Sequence, residues 1–157
     1  MKAIYPGTFD PITLGHLDVI KRGLRLFDSL VVAVAENPNK KPCFSLNERI
    51  EMVKESVNDL KDVEVKGFDS LLIDFAKKEK CDVLLRGLRE TSDFPGEFQL
   101  ATVNRLTDNN VETVFVMTSA EYFYVTSSIV KEIAKYGGSL KELVPAFVEK
   151  KLKSKKQ

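Results

Sequence analysis

The one histidine of this 157-residue chain, His16, stands in Thr13-Leu14-Gly15-His16, just after the turn-forming stretch Pro6-Gly7-Thr8-Phe9-Asp10-Pro11. The apolar residues before that turn, 2–5, read as a short strand, so the order is strand, Gly/Pro turn, then a helix opening on Gly15-His16. The first N–H groups of a helix have no partner within it, and the helix dipole places partial positive charge there. A strand–turn–helix start is therefore suited to phosphate. An imidazole planted at that point donates to a phosphate oxygen without the flexible stem of a lysine. The chemistry on offer is that of a nucleotide site with a reacting group built into it.

Three further stretches carry related chemistry. Arg86-Gly87-Leu88-Arg89 follows the apolar run Val83-Leu84-Leu85, which puts Arg86 at a strand's end and supplies planar forks for phosphate oxygens. Thr126-Ser127-Ser128, after Thr118-Ser119-Ala120-Glu121, reads as a helix N-cap whose hydroxyls and free N–H groups also suit a phosphate. Asn37-Pro38-Asn39-Lys40-Lys41-Pro42 is a basic loop in which Lys40 is the favoured cation. If these loops converge, one crevice holds a histidine, two arginines, a lysine or two and two helix N-termini, with little acid. That is a setting for a polyphosphate.

The elements that must position these residues alternate along the chain. Strands are expected at 2–5, 29–35, 63–67, 83–86 and 113–117, and helices at 16–27, 46–57, 71–78 and 97–106, with others after Ser127 and Ser139. Leu17, Ile20, Leu24 and Phe27 recur at helical spacing, and the strands are short, apolar and β-branched, as in a parallel sheet covered on both faces. Ser45–Glu48 and Ser139–Glu142 both read as capping boxes, and Gly137-Gly138 as a helix stop. Strands separated by helices imply right-handed crossovers and a Rossmann-like, doubly wound α/β fold with a five-stranded parallel sheet. Ligands of such sheets lie at the carboxyl ends of the strands, where the winding direction reverses.

Composition narrows the classes. The chain reads as one domain over 1–157, with 43% hydrophobic and 30% charged residues and a net charge of +1. That charge gives no reason to invoke nucleic acid or membrane. Residues 150–157 hold five lysines, which read as a solvated, frayed helix end. Cys43 and Cys81 lie far apart, so neither a zinc site nor a disulfide framework is expected, and Cys81 reads as a small buried residue. With no leader and no apolar run of spanning length, a cytoplasmic protein is expected. The P-loop, the dinucleotide Gly-x-Gly-x-x-Gly and the Gly-x-Ser-x-Gly elbow are all missing.

Gly7-Thr8-Phe9-Asp10 followed by Thr13-x-Gly15-His16 resembles the first signature of the nucleotidylyltransferases, and Thr126-Ser127-Ser128-x-x-Lys131 resembles their second. Tyr5 through Thr13, the Asn39-Lys40-Lys41-Pro42 loop, Arg86 through Arg89 and Asp93-Phe94 are similar to the bacterial phosphopantetheine adenylyltransferase family in particular, with the likeness running over residues 2–150. The resemblance implies reversible AMP transfer from ATP to 4′-phosphopantetheine, yielding dephospho-coenzyme A and pyrophosphate, in coenzyme A biosynthesis. It implies Mg²⁺ as cofactor, a homohexamer, and coenzyme A as feedback inhibitor. Carried over position by position, His16, Lys40 and Arg89 would be catalytic. Thr8, Lys40, Leu72 and Arg86 would hold phosphopantetheine. Thr8, Phe9, His16, Gly87, Leu88, Arg89, Glu97, Tyr122, Phe123, Tyr124, Val125, Thr126, Ser127 and Ser128 would hold ATP. The chain departs from the family pattern at Pro95-Gly96, where Pro suits a helix's first turn, at Thr126, where Ser is more usual, and around Ala120-Glu121.

The acceptor phosphate is already a nucleophile, so no covalent enzyme intermediate is expected, and the residues have to align two polyanions and stabilise the charge that builds up. Other readings are an acceptor such as nicotinamide mononucleotide or glycerol phosphate, a non-catalytic nucleotide or coenzyme A sensor, and nucleic-acid binding through the lysine tail.

Overall fold

The computed structural model describes residues 1–36 and 41–155. Its elements run β1 (Lys2–Gly7), α1 (Leu14–Gly23), β2 (Ser29–Ala35), α2 (Leu46–Ser56), β3 (Val63–Phe68), α3 (Leu72–Lys78), β4 (Val83–Leu88), a 3₁₀ turn (Thr91–Asp93), α4 (Phe94–Thr107), β5 (Glu112–Met117), α5 (Ser127–Lys135) and α6 (Ala146–Ser154). All strand pairs are parallel, in the order β3-β2-β1-β4-β5. The chain winds outward from β1 to β3, then returns to β4 on the other side of β1. The switch point lies between β1 and β4, where the doubly wound reading puts the ligand.

Alternation along the strands splits the core in two. Ala3 and Tyr5 of β1 with Leu30, Val32 and Val34 of β2 face α1, α2, α5 and α6. Ile4, Val31, Ala33 and Leu84 face the other way, against Ile73, Phe75 and Ala76 of α3. Helix α4 differs from the rest, since none of its residues is buried.

Several boundaries move, each for a local reason. Thr13 caps α1, so that helix starts at Leu14, and it closes at Gly23 rather than 27. A Cβ on Gly23 would come within 2.6 Å of the Leu85 side chain, so the close pass of α1 over the sheet fixes that position. Strand β4 continues to Leu88, which places Arg86 inside the strand, opposite Phe115 of β5, rather than at its end. The capping box at Ser45 is present, Glu48 Oε2 accepting from the Ser45 N–H at 2.7 Å. The one expected after Ser139 is absent, because residues 139–142 turn without starting a helix. A helix begun there would bring Pro145 into its interior, where Pro lacks the N–H that the helical ladder needs. Leu140, Leu143 and Val144 pack into the core instead, and the helix starts at Ala146. Gly137 ends α5 with φ +78° as expected.

The lysine-rich end is not a frayed, solvated segment over the described residues. Helix α6 lies on α2, with Lys151 on Glu51 at 2.9 Å and Lys155 on Glu48 at 3.2 Å, its ammonium 4.4 Å from the Phe44 ring centroid. Leu152, 4% exposed, anchors the last turn. No described helix is long and apolar enough to cross a membrane.

Candidate active site

The turn after β1 is tightly built. A Cβ on Gly7 would meet the Phe9 ring at 2.9 Å, so only glycine lets that ring fold back over the strand. Phe9 sits at φ 49°, in the left-handed region, and its ring packs edge-on against Tyr5 and His16 at centroid distances of 5.4 and 5.0 Å. Asp10, 5% exposed, accepts from the N–H groups of Cys43 at 2.9 Å and Phe44 at 3.0 Å and from Lys131 Nζ at 2.9 Å.

His16 occupies the third position of α1, and its ring completes the cap of that helix. Thr13 Oγ1 accepts the His16 N–H, while His16 Nδ1 accepts the Thr13 N–H at 3.0 Å. A backbone N–H only donates, so Nδ1 must carry a lone pair and the neutral ring keeps its proton on Nε2. Burial, then the nearby charges of Arg89 and Arg86, push the pKa of His16 down to about 4. The ring is thus a neutral donor of fixed tautomer.

The arginines are aimed by carboxylates. Arg86 donates through Nε and Nη2 to both oxygens of Glu97 at 2.6 Å, and through Nη1 to the Pro6 carbonyl at 3.1 Å. Arg89 makes a similar fork to Asp93, at 3.1 and 2.9 Å. Beside them Gly87 admits α1, since a Cβ there would stand 2.7 Å from the Val19 side chain. On the opposite flank Asp18 accepts from the Ser119 N–H at 2.8 Å and its hydroxyl at 2.9 Å, and Ser127 Oγ donates to the Pro11 carbonyl at 2.8 Å. Thr126 caps α5 through the Ile129 N–H.

These parts frame two adjoining cavities. One, about 370 Å³, is lined by β1 residues, by Arg86 and Gly87 of β4 and by Arg89 just beyond it, together with Thr118, Val125 and Thr126. The other, about 510 Å³, is lined by Thr8, Asp10, Lys41, Pro42, Ser128 and Lys131. Phe9, His16 and Ser127 line both. His16 therefore stands at the junction, where a group passed from one cavity to the other would meet it.

Most of the expected site residues converge here. Thr8, Phe9, His16, Arg86, Gly87, Arg89 and Val125 to Ser128 line one or both cavities, and Glu97 reaches the site through Arg86. Leu88 is buried, and Leu72 packs with Phe68 against the α3 cluster, and neither lines these two cavities. Tyr122 is half-buried, while Phe123 and Tyr124 are exposed, their rings edge-on at 5.6 Å. Lys40 lies outside the described residues; its neighbour Lys41 lines the second cavity. Sequence reasoning passes over Asp18 and Arg49, and it includes Asp10 and Lys131 in the two signatures without giving either a role. For Arg49 a signal existed, because it shares the buried stripe of α2 with Met52 and Val53.

No group of three or more His, Cys, Asp or Glu side chains is arranged to hold a metal ion among the described residues. Asp10 is the acidic side chain lining the cavities, and its oxygens are already engaged.

A family model described as cytidylyltransferase-like matches residues 4–133. The chain is 54% identical over 153 residues to a phosphopantetheine adenylyltransferase of Caldanaerobacter subterraneus subsp. tengcongensis, covering 98% of this chain and 96% of that protein. It is 52% identical to the protein of that name from Syntrophus aciditrophicus, covering 98% and 93%, and 50% identical to that of Carboxydothermus hydrogenoformans, covering 99% and 96%. Among solved structures, a lipopolysaccharide core biosynthesis protein from Thermoplasma volcanium aligns with TM-score 0.54 and 26% identity, over 76% of this chain and 96% of that one.

Proposed function

This chain belongs to the phosphopantetheine adenylyltransferase family, within the cytidylyltransferase-like fold, and on that premise we propose that its paired cavities transfer AMP from ATP to 4′-phosphopantetheine. A phosphate oxygen of the acceptor attacks the α-phosphorus, an oxygen–phosphorus bond forms, and the bond to pyrophosphate breaks. The products are dephospho-coenzyme A and pyrophosphate, and the reaction runs in both directions. No side chain needs to accept a proton. The protein's task is to align two anions against their repulsion and to meet the charge that develops in the transition state.

The observation that carries this reading is His16, a neutral Nε2–H donor at the junction of two cavities rimmed by cations. Its Nε2–H would donate a hydrogen bond to a non-bridging α-phosphate oxygen, the proton staying on the ring. Arg89 and the N-terminus of α5, with Thr126, Ser127 and Ser128, suit the nucleotide phosphates; Phe9, Gly87, Leu88, Glu97 and residues 122–125 belong to the same side. By the family resemblance Thr8, Lys40, Leu72 and Arg86 would serve the acceptor, with Thr8 on the second cavity, Arg86 on the first and Leu72 on neither. Mg²⁺ would be held by the polyphosphate it accompanies, since among the described residues no carboxylate cluster is arranged to hold it. When bound it would neutralise the charge on the phosphates.

The same reading extends to a homohexamer, supported by the unburied apolar residues of α4, to feedback by coenzyme A at the crevice, and to a cytoplasmic site of action for this single nucleotidyltransferase domain. The test is pyrophosphate release from ATP and Mg²⁺ with 4′-phosphopantetheine, beside nicotinamide mononucleotide, glycerol 3-phosphate, and CTP in place of ATP. Release with ATP and phosphopantetheine alone is expected. Release with another pair would move the acceptor, and none with any pair despite ATP binding would make this a sensor.

A further inference from the structure

Three polar or charged residues are buried among those described: Asp10, Thr13 and Arg49. Thr13 holds His16, and Asp10 gathers two N–H groups and Lys131. Arg49 has no place in the reaction as derived above. It is 1% exposed, and its described partners are all neutral carbonyl oxygens. Nε donates to Phe44 at 3.1 Å, and Nη1 donates to Thr8 at 2.7 Å and to Ala35 at 2.8 Å. Thr8 lies in the turn after β1, Ala35 ends β2, and Phe44 precedes the cap of α2. One planar cation thereby ties three segments together. Phe44 is held on both sides, its N–H by Asp10 and its carbonyl by Arg49.

The placement matters because of what those segments carry. Lys41 and Pro42, just ahead of the clamped Phe44, face Thr8 across the second cavity. We propose that Arg49 is a positioning residue for the phosphorylated acceptor: it touches no substrate, yet fixes Thr8 relative to the Lys41-Pro42 wall. The inference rests on the AMP-transfer reading of this crevice.

Stability alone does not call for an arginine here. The Arg49 guanidinium gives up its hydration and its hydrogen bonds go only to neutral carbonyls; Asp10 and Glu36 lie near enough to favour its charge, yet burial outweighs them and holds its pKa below the usual value. An apolar side chain cannot hold three carbonyls in a fixed fork, however, and neither can the point charge of a lysine.

Arg49→Lys and Arg49→Met are compared with the unaltered protein, ATP and 4′-phosphopantetheine being varied separately. A shift of about 1 Å at a substrate wall costs up to ~10²-fold. The acceptor KM should therefore rise by about 10-fold or more, while the ATP KM moves by less than about 3-fold. A double-mutant cycle with Thr8→Ala adds a readout that a merely structural role would not move. Thr8→Ala should cost less in the Arg49→Lys background than alone, because Arg49, by holding the Thr8 carbonyl, sets where the Thr8 hydroxyl acts. An unchanged acceptor KM in a folded, active variant overturns the proposal, as do equal rises in both KM values or a strictly additive cycle. Should Arg49→Met not fold, Arg49→Lys carries the test. Amide exchange at Cys43 and Phe44, read against Ile4 in β1, needs no turnover, and Arg49→Lys should speed the first two selectively. If the unaltered protein releases no pyrophosphate with phosphopantetheine, the AMP-transfer reading fails by itself. Unchanged exchange at Phe44 is what sinks the clamp.

Discussion

His16 is held by the contact that caps its own helix, so the chemistry of its ring and the geometry of α1 come from one pair of hydrogen bonds with Thr13. Its removal should therefore be read in two assays. His16→Ala is expected to lower kcat by ~10²–10³, the usual loss for one preorganised donor to a transition-state oxygen. The cap should cost only ~1 kcal/mol in urea unfolding. A variant with near-normal kcat would remove His16 from the chemistry. As the one histidine in the chain, it also gives a single imidazole signal by NMR. The Nε2–H tautomer should be present at neutral pH, with a midpoint near 4 that moves up when a polyphosphate fills the crevice. The sign for stability follows from the same shift. Between the ordinary value of 6.5 and about 4 the unfolded chain takes up a proton that the folded one refuses, so folding weakens as pH falls through that window. His16→Gln removes that contribution. The unaltered protein should lose more stability than the variant between pH 7 and 5, and equal losses would mean the ring titrates normally.

At the scale of elements, the crevice depends on α1 lying close to β4, and Gly87 sets how close. A Cβ there would press on Val19 Cγ2 at 2.7 Å and tilt the helix that carries His16. Gly87→Ala should destabilise by ~1–3 kcal/mol, as overpacked sites do, and lower kcat with it. Adding Val19→Ala should recover part of both losses, and a double variant no better than the sum of the singles would place the strain elsewhere. Legibility from sequence divides along similar lines. The five strands and the β1 turn were readable because apolar alternation and Gly/Pro punctuation are local signals. The extra reach of β4 was not, since Arg86 in a strand is stabilised by Glu97 and the Pro6 carbonyl, both distant in sequence. The helix expected at Ser139 misled for a related reason: a capping pattern marks a start only where the chain beyond it can stay helical, and Pro145 forbids that. Arg49 and Asp18 go unassigned because the partners that tie them to the site, Thr8 and Ala35 for Arg49 and Ser119 for Asp18, are distant in sequence, and only the sheet order brings them together.

At the scale of the whole molecule, the sheet order explains why two cavities meet at one residue: β1 and β4 wind in opposite senses, and their loops part above the gap that His16 fills. The same order leaves α4 on the outer strand pair with an apolar surface and no cover. Phe98 is 57% exposed, Val103 51% and Leu106 83%, more than an isolated soluble chain ordinarily leaves on one helix. Helix α4 also has an inward task, because Glu97, next to Phe98, holds the fork of Arg86. If the exposed face of α4 is the surface on which chains associate, that surface and the support of Arg86 meet in two successive residues. Sedimentation of the unaltered protein should give an assembly of several chains, and Phe98→Glu with Val103→Glu should shift it toward one chain without loss of circular dichroism. If assembly steadies α4, the dissociated variant should show a raised acceptor KM, because Glu97 then aims Arg86 less firmly, and a raised ATP KM through Glu97 itself. A single chain at all concentrations in the unaltered protein would end the assembly claim. Dissociation with unchanged KM values would leave the assembly standing and cut its link to Arg86.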